Sequence, residues 1–207
     1  MEKIGLPKMT KFGKWVAMVL LAIILVWPLT VGLYWIVYSG YAAMDRTKFP
    51  DLDPEILAVM EKAPADVPDP DKGVALSMAI RNRLAQEMNS AFGWSVNDLA
   101  ISPTGWMDNR ANRQRGTIFA TRMLINFYAT NLAKYGKVDA ENEILKEARE
   151  KRFAFSEDSW WFPSSEDEYE KGIEQLKRYE SELKKGNAIY NLRSDDMYNL
   201  LTYIIGS

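Results

Sequence analysis

The densest group of side chains that could bind a ligand lies between residues 97 and 114. This polar cluster combines carboxylates, amides and arginines: Asn97, Asp98, Asp108, Asn109, Arg110, Asn112, Arg113 and Gln114. On one interpretation, the first amides of a helix and both guanidinium groups bind a carboxylate or phosphate, as in an anion or glycan pocket. On the other, Asp108 caps the helix and one of the arginines pairs with Asp98. Ion-pair networks of the second kind are common, so the structural role is favoured.

A second group of candidate residues lies in the aromatic loop, residues 153–163, with the sequence FAFSEDSWWFP. Its aromatic side chains are Phe153, Phe155, Trp160, Trp161 and Phe162. Such rings can stack on sugars, enter a membrane interface or anchor a partner protein. Filling the core between helices is the alternative. The sequence leaves both open, since two adjacent tryptophans are difficult to bury together from one short turn.

The sequence contains no cysteine and no histidine. Disulfides, thiolate nucleophiles, common zinc sites and catalytic triads with an imidazole base are therefore excluded. A pair of carboxylates remains available for acid/base chemistry, with Glu87, Asp98 and Asp108 as the first candidates. The acidic run at residues 166–168 suits the first turn of a helix, where the helix dipole favours acids, so we predict no metal and no cofactor.

An uninterrupted apolar segment occupies residues 15–38, and no charged residue lies between Lys14 and Asp45. As a helix, these residues would span about 36 Å, compared with about 30 Å of hydrocarbon. The segment therefore predicts a transmembrane anchor. A cleaved signal peptide has a shorter apolar region, and a core helix of a soluble protein is rarely apolar on every face.

Aromatic residues stand at both ends of this segment, where they favour the membrane interface: Trp15, Tyr34, Trp35, Tyr38 and Tyr41. The preceding residues, 1–14, carry four lysines and one glutamate. Because positive flanks stay inside, we predict a cytoplasmic N-terminal tail and a periplasmic C-terminal domain in a single-pass protein of the bacterial inner membrane. Without residues 1–14, the chain keeps 22 of its 26 basic and 27 of its 28 acidic residues. An acidic domain of this kind makes nucleic acid a poor partner.

The remaining chain divides into a proline-rich tether, residues 39–71, and a helical domain, residues 72–207. One short helix capped by Asp53 interrupts the tether. Five helices follow, at residues 72–92 after an Asp71 cap, 109–135, 139–152 from Asp139, 165–185 and from Ser194 onward. A capping box of Ser165 and Glu168 opens the fourth of them. We therefore predict an all-α protein with one transmembrane helix and a soluble bundle of about five helices.

Two motifs, GWSVNDL at residues 93–99 and WMDNRANRQRG at residues 106–116, carry a resemblance to known proteins. Together with the C-terminal segment 190–207, they resemble a bacterial inner-membrane family known as domain of unknown function 2333. The resemblance covers most of the chain. It implies a single N-terminal anchor and a helical periplasmic region, and it supplies no activity.

These features predict a non-enzymatic accessory or scaffold protein. It would be anchored in the lipid bilayer and would dock its helical domain to another membrane or periplasmic protein in a larger envelope complex. The alternative is an envelope enzyme, or a glycan- or lipid-binding module, that uses carboxylates.

Overall fold

The computed structural model describes residues 10–47, 53–90, 93–99, 108–134 and 140–206. The chain forms two compact units, Met1–Asp51 and Leu52–Ser207. Helix accounts for 74% of the structure, and none of the described residues forms a strand. The predicted all-α fold is therefore confirmed.

The first unit consists of α1, Lys11–Thr47, which extends the predicted segment at both ends. Its Lys11–Val37 portion contains an 18-residue stretch with a mean hydropathy of 2.6, and no residue of that stretch is buried. Among the described helices, it is the one long and apolar enough to cross a membrane. Trp15 and Trp35 are exposed and Tyr34 is half-buried, whereas the side chains of Tyr38 and Tyr41 lie outside the described residues.

The second unit begins with α2, Pro54–Met60. Asp53 caps this helix as predicted, because its carboxylate accepts a 3.0 Å hydrogen bond from the Glu55 N–H. Ile56 and Val67 are buried, so this part of the predicted tether belongs to the domain core. The following helix, α3, spans Asp69–Met88 and starts after Pro68, earlier than the predicted Asp71 cap.

The helix α4, Asp108–Phe127, continues into a π-helical turn, Tyr128–Leu132. The wider turn ends where the Ala133 N–H donates to the Tyr128 carbonyl at 3.0 Å. As the predicted periodicity requires, Ile118, Ile125 and Leu132 are all buried.

Three helices complete the domain: α5, Glu143–Glu147, with a π-helical turn at Ala148–Arg152; α6, Ser165–Lys184; and α7, Ser194–Gly206. Asn142 caps α5, and the predicted Asp139 lies outside the described residues. The capping box of α6 is Ser164 with Asp167, so the predicted pair of Ser165 and Glu168 was wrong by one residue.

The core lies between α3, α4 and α6. Edge-to-face contacts join Tyr128 to Tyr179 and Tyr190, with ring centroids 5.5 and 5.6 Å apart. Burial raises the pKa of Tyr128, whose hydroxyl donates a 2.8 Å hydrogen bond to the Gly73 carbonyl. Position 73 must be glycine, because a Cβ there would lie 2.7 Å from the Tyr190 ring.

Candidate functional site

The aromatic loop divides into a buried base and an exposed tip. Phe153 is fully buried and Phe155 packs partly buried against the core. The three residues of the aromatic tip, Trp160, Trp161 and Phe162, are 56, 67 and 88% exposed. Neither of the two predicted roles, core filling or exposed surface, therefore applies to the whole loop.

Arg122 of α4 fixes the base of the loop. Its guanidinium donates to the carbonyls of Phe153 and Phe155, both at 2.6 Å, and forms a 2.9 Å ion pair with Glu157. Below the base, the Phe153 ring contacts α6 at Gly172, where an added Cβ would lie 2.6 Å from the ring. Arg122 therefore satisfies the Phe153 carbonyl and shares the Phe155 carbonyl with the Tyr169 hydroxyl, which donates to it at 3.0 Å.

The backbone on either side of the tip is also held in place. The Ser165 hydroxyl lies 2.8 and 2.9 Å from the carbonyl oxygens of Ser156 and Ser159. Asn97 donates to the same Ser159 carbonyl at 2.9 Å, and the Trp94 indole donates to the Glu157 carbonyl at 2.9 Å. The exposed rings therefore project from a fixed turn.

Within the tip, the Trp160 and Trp161 rings pack edge to face, with centroids 5.2 Å apart. The Phe162–Pro163 peptide bond that follows is cis. Side-chain contact between the two indoles gives the tip a defined shape, because edge-to-face geometry is a favoured arrangement of aromatic pairs.

The chain segment around the tip is acidic. Residues 156–168 contain Glu157, Asp158, Glu166, Asp167 and Glu168 and no basic residue. The Ser156 hydroxyl holds the pKa of Asp158 below its ordinary value. Burial alone would raise the pKa of Glu157, but hydrogen bonds from the backbone and Arg122 lower it overall. Both groups therefore stay ionised at neutral pH.

In the polar cluster, in contrast, two of the side chains are buried, those of Arg110 and Gln114. Arg110 is only 2% exposed and donates to the Ser90 hydroxyl and the Gly93 carbonyl. The buried Gln114 accepts a 2.8 Å hydrogen bond from the Ser95 N–H and donates to the Gly93 carbonyl at 2.9 Å. These contacts tie the loop at residues 93–95 to α4.

Glu87 of α3 is the carboxylate that meets Arg113. It is 4% exposed and lies 3.0 Å from Arg113 and 2.8 Å from Arg83. Asp98 was the predicted partner of one of the two arginines. In the described contacts, Arg113 binds Glu87 and Arg110 binds the Gly93 carbonyl instead. Arg83 and Arg113 thus bind a protein carboxylate, as in a structural ion-pair network.

The other predicted members of the cluster separate. Asn97 binds the far side of the loop and donates to Glu166 at 2.7 Å. Asp98 is half-buried, and Asn109 and Asn112 are exposed on α4. Asp108 begins α4, with its side chain outside the described residues. The members of the cluster whose side chains are described therefore do not come together as one pocket.

A shallow groove of about 280 Å³ runs between α3 and α4. Its lining combines apolar residues and threonines with two arginines: Ile80, Arg83, Arg113, Gly116, Thr117, Ala120, Thr121 and Leu124. No carboxylate is among them, and no group of metal-binding side chains occurs in the described part of the chain. The groove is therefore suited to an apolar occupant.

The model of a bacterial family, described as an uncharacterized protein conserved in bacteria (DUF2333), matches residues 8–206. The chain belongs to the DUF2333 family. This confirms the family to which the two sequence motifs pointed. No curated protein and no solved structure matches the chain.

Two features of this DUF2333 protein were missed in the sequence. Arg122 was not singled out, although it holds the whole base of the aromatic loop. The groove was not predicted either, because its walls come from helices about 30 residues apart. The sequence does contain a signal for Arg122, because it is the one cation within the mainly apolar stretch at residues 118–128.

Proposed function

We propose that this DUF2333 protein is a membrane-anchored, non-enzymatic accessory or scaffold protein of the bacterial envelope. It docks to a larger membrane complex through its aromatic tip. The observation that carries the proposal is the exposure of three consecutive large aromatic residues, Trp160, Trp161 and Phe162, on a turn whose backbone is held fixed. A few residues carry most of the binding energy of a protein interface, and tryptophan is enriched among them.

The surroundings of the tip favour a protein over a lipid surface. Anionic lipid headgroups attract lysine and arginine, and all charged side chains of the segment around the tip are acidic. A protein partner with an apolar centre and a basic rim complements both features. Chemistry with paired carboxylates has no comparable support, because Glu87 is already bound by two arginines.

For the location, α1 anchors the chain in the inner membrane, with the N-terminus in the cytoplasm and the domain in the periplasm. The lysine-rich residues before α1 support this orientation through the positive-inside rule. The absence of cysteine makes a direct test possible. In cells with a permeabilised outer membrane, a membrane-impermeant maleimide should label Glu174→Cys and not Thr10→Cys. Labelling of Thr10→Cys alone would reverse the orientation.

Docking can be tested in the native bacterium with a photoreactive phenylalanine at position 161. We expect illumination to produce a covalent adduct with another protein. The matched control places the same group at Lys177, an exposed position on α6 away from the loop. Equal adducts at both positions, or adducts with lipid alone at position 161, would contradict docking through the tip.

A further inference from the structure

We infer that the GWSVNDL motif, residues 93–99, holds the aromatic tip in its docking orientation, with Asn97 and Trp94 as positioning residues. The inference rests on the proposed function, because it takes the tip to be a protein-docking surface. It adds two residues outside the aromatic loop on which docking depends.

Asn97 bonds to both ends of the tip. Its side-chain amide donates to the Ser159 carbonyl at 2.9 Å, immediately before Trp160, and to the Glu166 carboxylate at 2.7 Å, in the first turn of α6. Both N–H donors of the amide are thereby used. The Ser165 N–H also donates to the Ser159 carbonyl, at 3.0 Å, and closes the turn locally. Asn97 therefore joins this closed turn to a separate segment of the chain.

Trp94 holds the same turn two residues earlier. Its indole N–H donates to the Glu157 carbonyl at 2.9 Å, and its side chain is only 3% exposed. The indole packs edge to face on Tyr169 of α6, with ring centroids 5.3 Å apart. The Tyr169 hydroxyl in turn donates to the Phe155 carbonyl at 3.0 Å. Trp94 therefore contacts both the aromatic loop and the helix that supports it.

The other side of the motif is fixed to α4. The buried Gln114 accepts a 2.8 Å hydrogen bond from the Ser95 N–H and donates to the Gly93 carbonyl at 2.9 Å. Arg110 donates to the same carbonyl. Gln114 and Arg110 belong to the second sequence motif, residues 106–116. The two motifs therefore form a continuous series of contacts from α4 to the aromatic tip.

The orientation of the tip depends on this support. Trp160 and Trp161 are exposed and contact each other, so the backbone at residues 157–159 sets their direction relative to the domain. Ordering a loop during association lowers affinity, and a loop held in its bound geometry avoids that loss. Loss of the contacts from Trp94 and Asn97 should therefore weaken docking while all three rings remain available to the partner.

A spin label measures the hold on the tip without any partner. The full-length chain in detergent micelles would carry a nitroxide at Phe162→Cys, its only cysteine. We expect Asn97→Asp to raise the mobile fraction of the spectrum about threefold, since a carboxylate cannot donate to the Ser159 carbonyl or to Glu166. The matched control, Asn112→Asp, adds the same charge at an exposed position of α4 and should leave the spectrum unchanged.

A second variant affects the other positioning residue. Trp94→Phe keeps an aromatic ring beside Tyr169 and removes the donor to the Glu157 carbonyl. It should also raise the mobile fraction at position 162. A label at Lys177→Cys, on an exposed part of α6, should report no change in either variant.

The photoreactive group at position 161 provides the docking measurement. Asn97→Asp should lower the yield of the protein adduct about tenfold, as expected for the loss of two hydrogen bonds. Asn112→Asp should give the yield of the wild type. Helical circular dichroism at the assay temperature should be the same for all variants, which separates a loss of positioning from unfolding.

Two results would overturn the inference. One is an unchanged spectrum at position 162 in both Asn97→Asp and Trp94→Phe. The other is a wild-type protein adduct at position 161 that neither variant weakens. Raised mobility in the variants, together with no protein adduct even in the wild type, would instead remove the docking function and leave the motif as the support of the tip. The two failures are therefore distinguishable.

Discussion

In the polar cluster, arginine and glutamine side chains are buried and bonded to protein, whereas in the aromatic tip three large rings lie in solvent. The comparison shows that the stability of the fold accounts for the polar cluster but not for the exposed aromatic tip. Each buried charge has partners that offset its desolvation, as Arg110 and Glu87 do. The exposed rings contribute little to the stability of the domain. A contiguous exposed apolar group marks an interaction site instead.

The largest loss of stability should follow the removal of the cation between these regions. Arg122→Met leaves the Phe153 carbonyl without its donor and the Phe155 carbonyl with the Tyr169 hydroxyl alone, and bonds to a charged group contribute about 1.5–3 kcal/mol each. Allowing for non-additivity, we expect a loss of about 3 kcal/mol in the free energy of unfolding, measured by urea denaturation. The exposed Arg115→Met should change it by no more than about 0.5 kcal/mol. If the two variants lose the same free energy of unfolding, Arg122 does not stabilise the base of the loop.

Next in size is the effect of a methyl group beneath the loop. Gly172→Ala puts a Cβ 2.6 Å from the buried Phe153 ring, and overpacking of this kind costs about 1–3 kcal/mol. The matched variant Gly116→Ala enters open space in α4 and should stabilise the domain by up to about 1 kcal/mol through helix propensity. Thermal denaturation should therefore move in opposite directions for the two variants. A rise in both would show that Phe153 is free to move aside.

The third largest loss of stability should come from Glu87, the buried carboxylate that binds Arg113 of the polar cluster. Glu87→Ala removes the hydrogen-bonded partner of Arg83 and Arg113, whose guanidinium groups can still reach water. We therefore expect a loss of about 2 kcal/mol, rather than the larger cost of stranding a buried charge. Glu174→Ala, at an exposed position of α6, should be neutral in the same denaturation experiment. If Glu87→Ala leaves the free energy of unfolding unchanged, the cluster does not have the structural role assigned to it.

The pH dependence of stability sharpens the comparison at the end of the loop. Glu168 is ion-paired with Lys171 at 2.6 Å and Arg152 at 2.7 Å, and these hydrogen bonds lower its pKa below 4.5. Its contribution is therefore fully present above about pH 4.5, and it is lost as the pH falls through the lowered pKa. Glu168→Gln should be less stable than the wild type by about 1–2 kcal/mol at pH 7. The difference should shrink below pH 4.5 in denaturant titrations at several pH values, and a constant difference would contradict the ion-pair assignment.

The smallest effect on stability should come from the tip itself. Trp161→Ala removes a side chain that is 67% exposed, so the free energy of unfolding should stay within about 0.5 kcal/mol of the wild type. The same variant should abolish most of the photo-cross-linking from neighbouring position 162. A loss of more than about 2 kcal/mol would instead assign the tip to the core.

The start of α6 shows the limit of what a local sequence pattern can predict. Ser164 with Asp167 and Ser165 with Glu168 both fit the capping-box pattern, so the pattern alone does not choose between them. The choice is made by distant contacts. The Ser165 hydroxyl is buried against the Ser156 and Ser159 carbonyls, and Glu168 is bound to Arg152.

The sequence by itself determined the apolar helix α1, the all-α class and the periodic core face of α4 with Ile118, Ile125 and Leu132. These features depend on interactions within a few helical turns, and the residues concerned are neighbours in the chain. Only the tertiary structure decided that Glu87 meets Arg113, that Phe153 is buried and that Trp161 is exposed. Those outcomes depend on which distant segments pack together, and the periodicity of one segment does not identify the segment that packs against it.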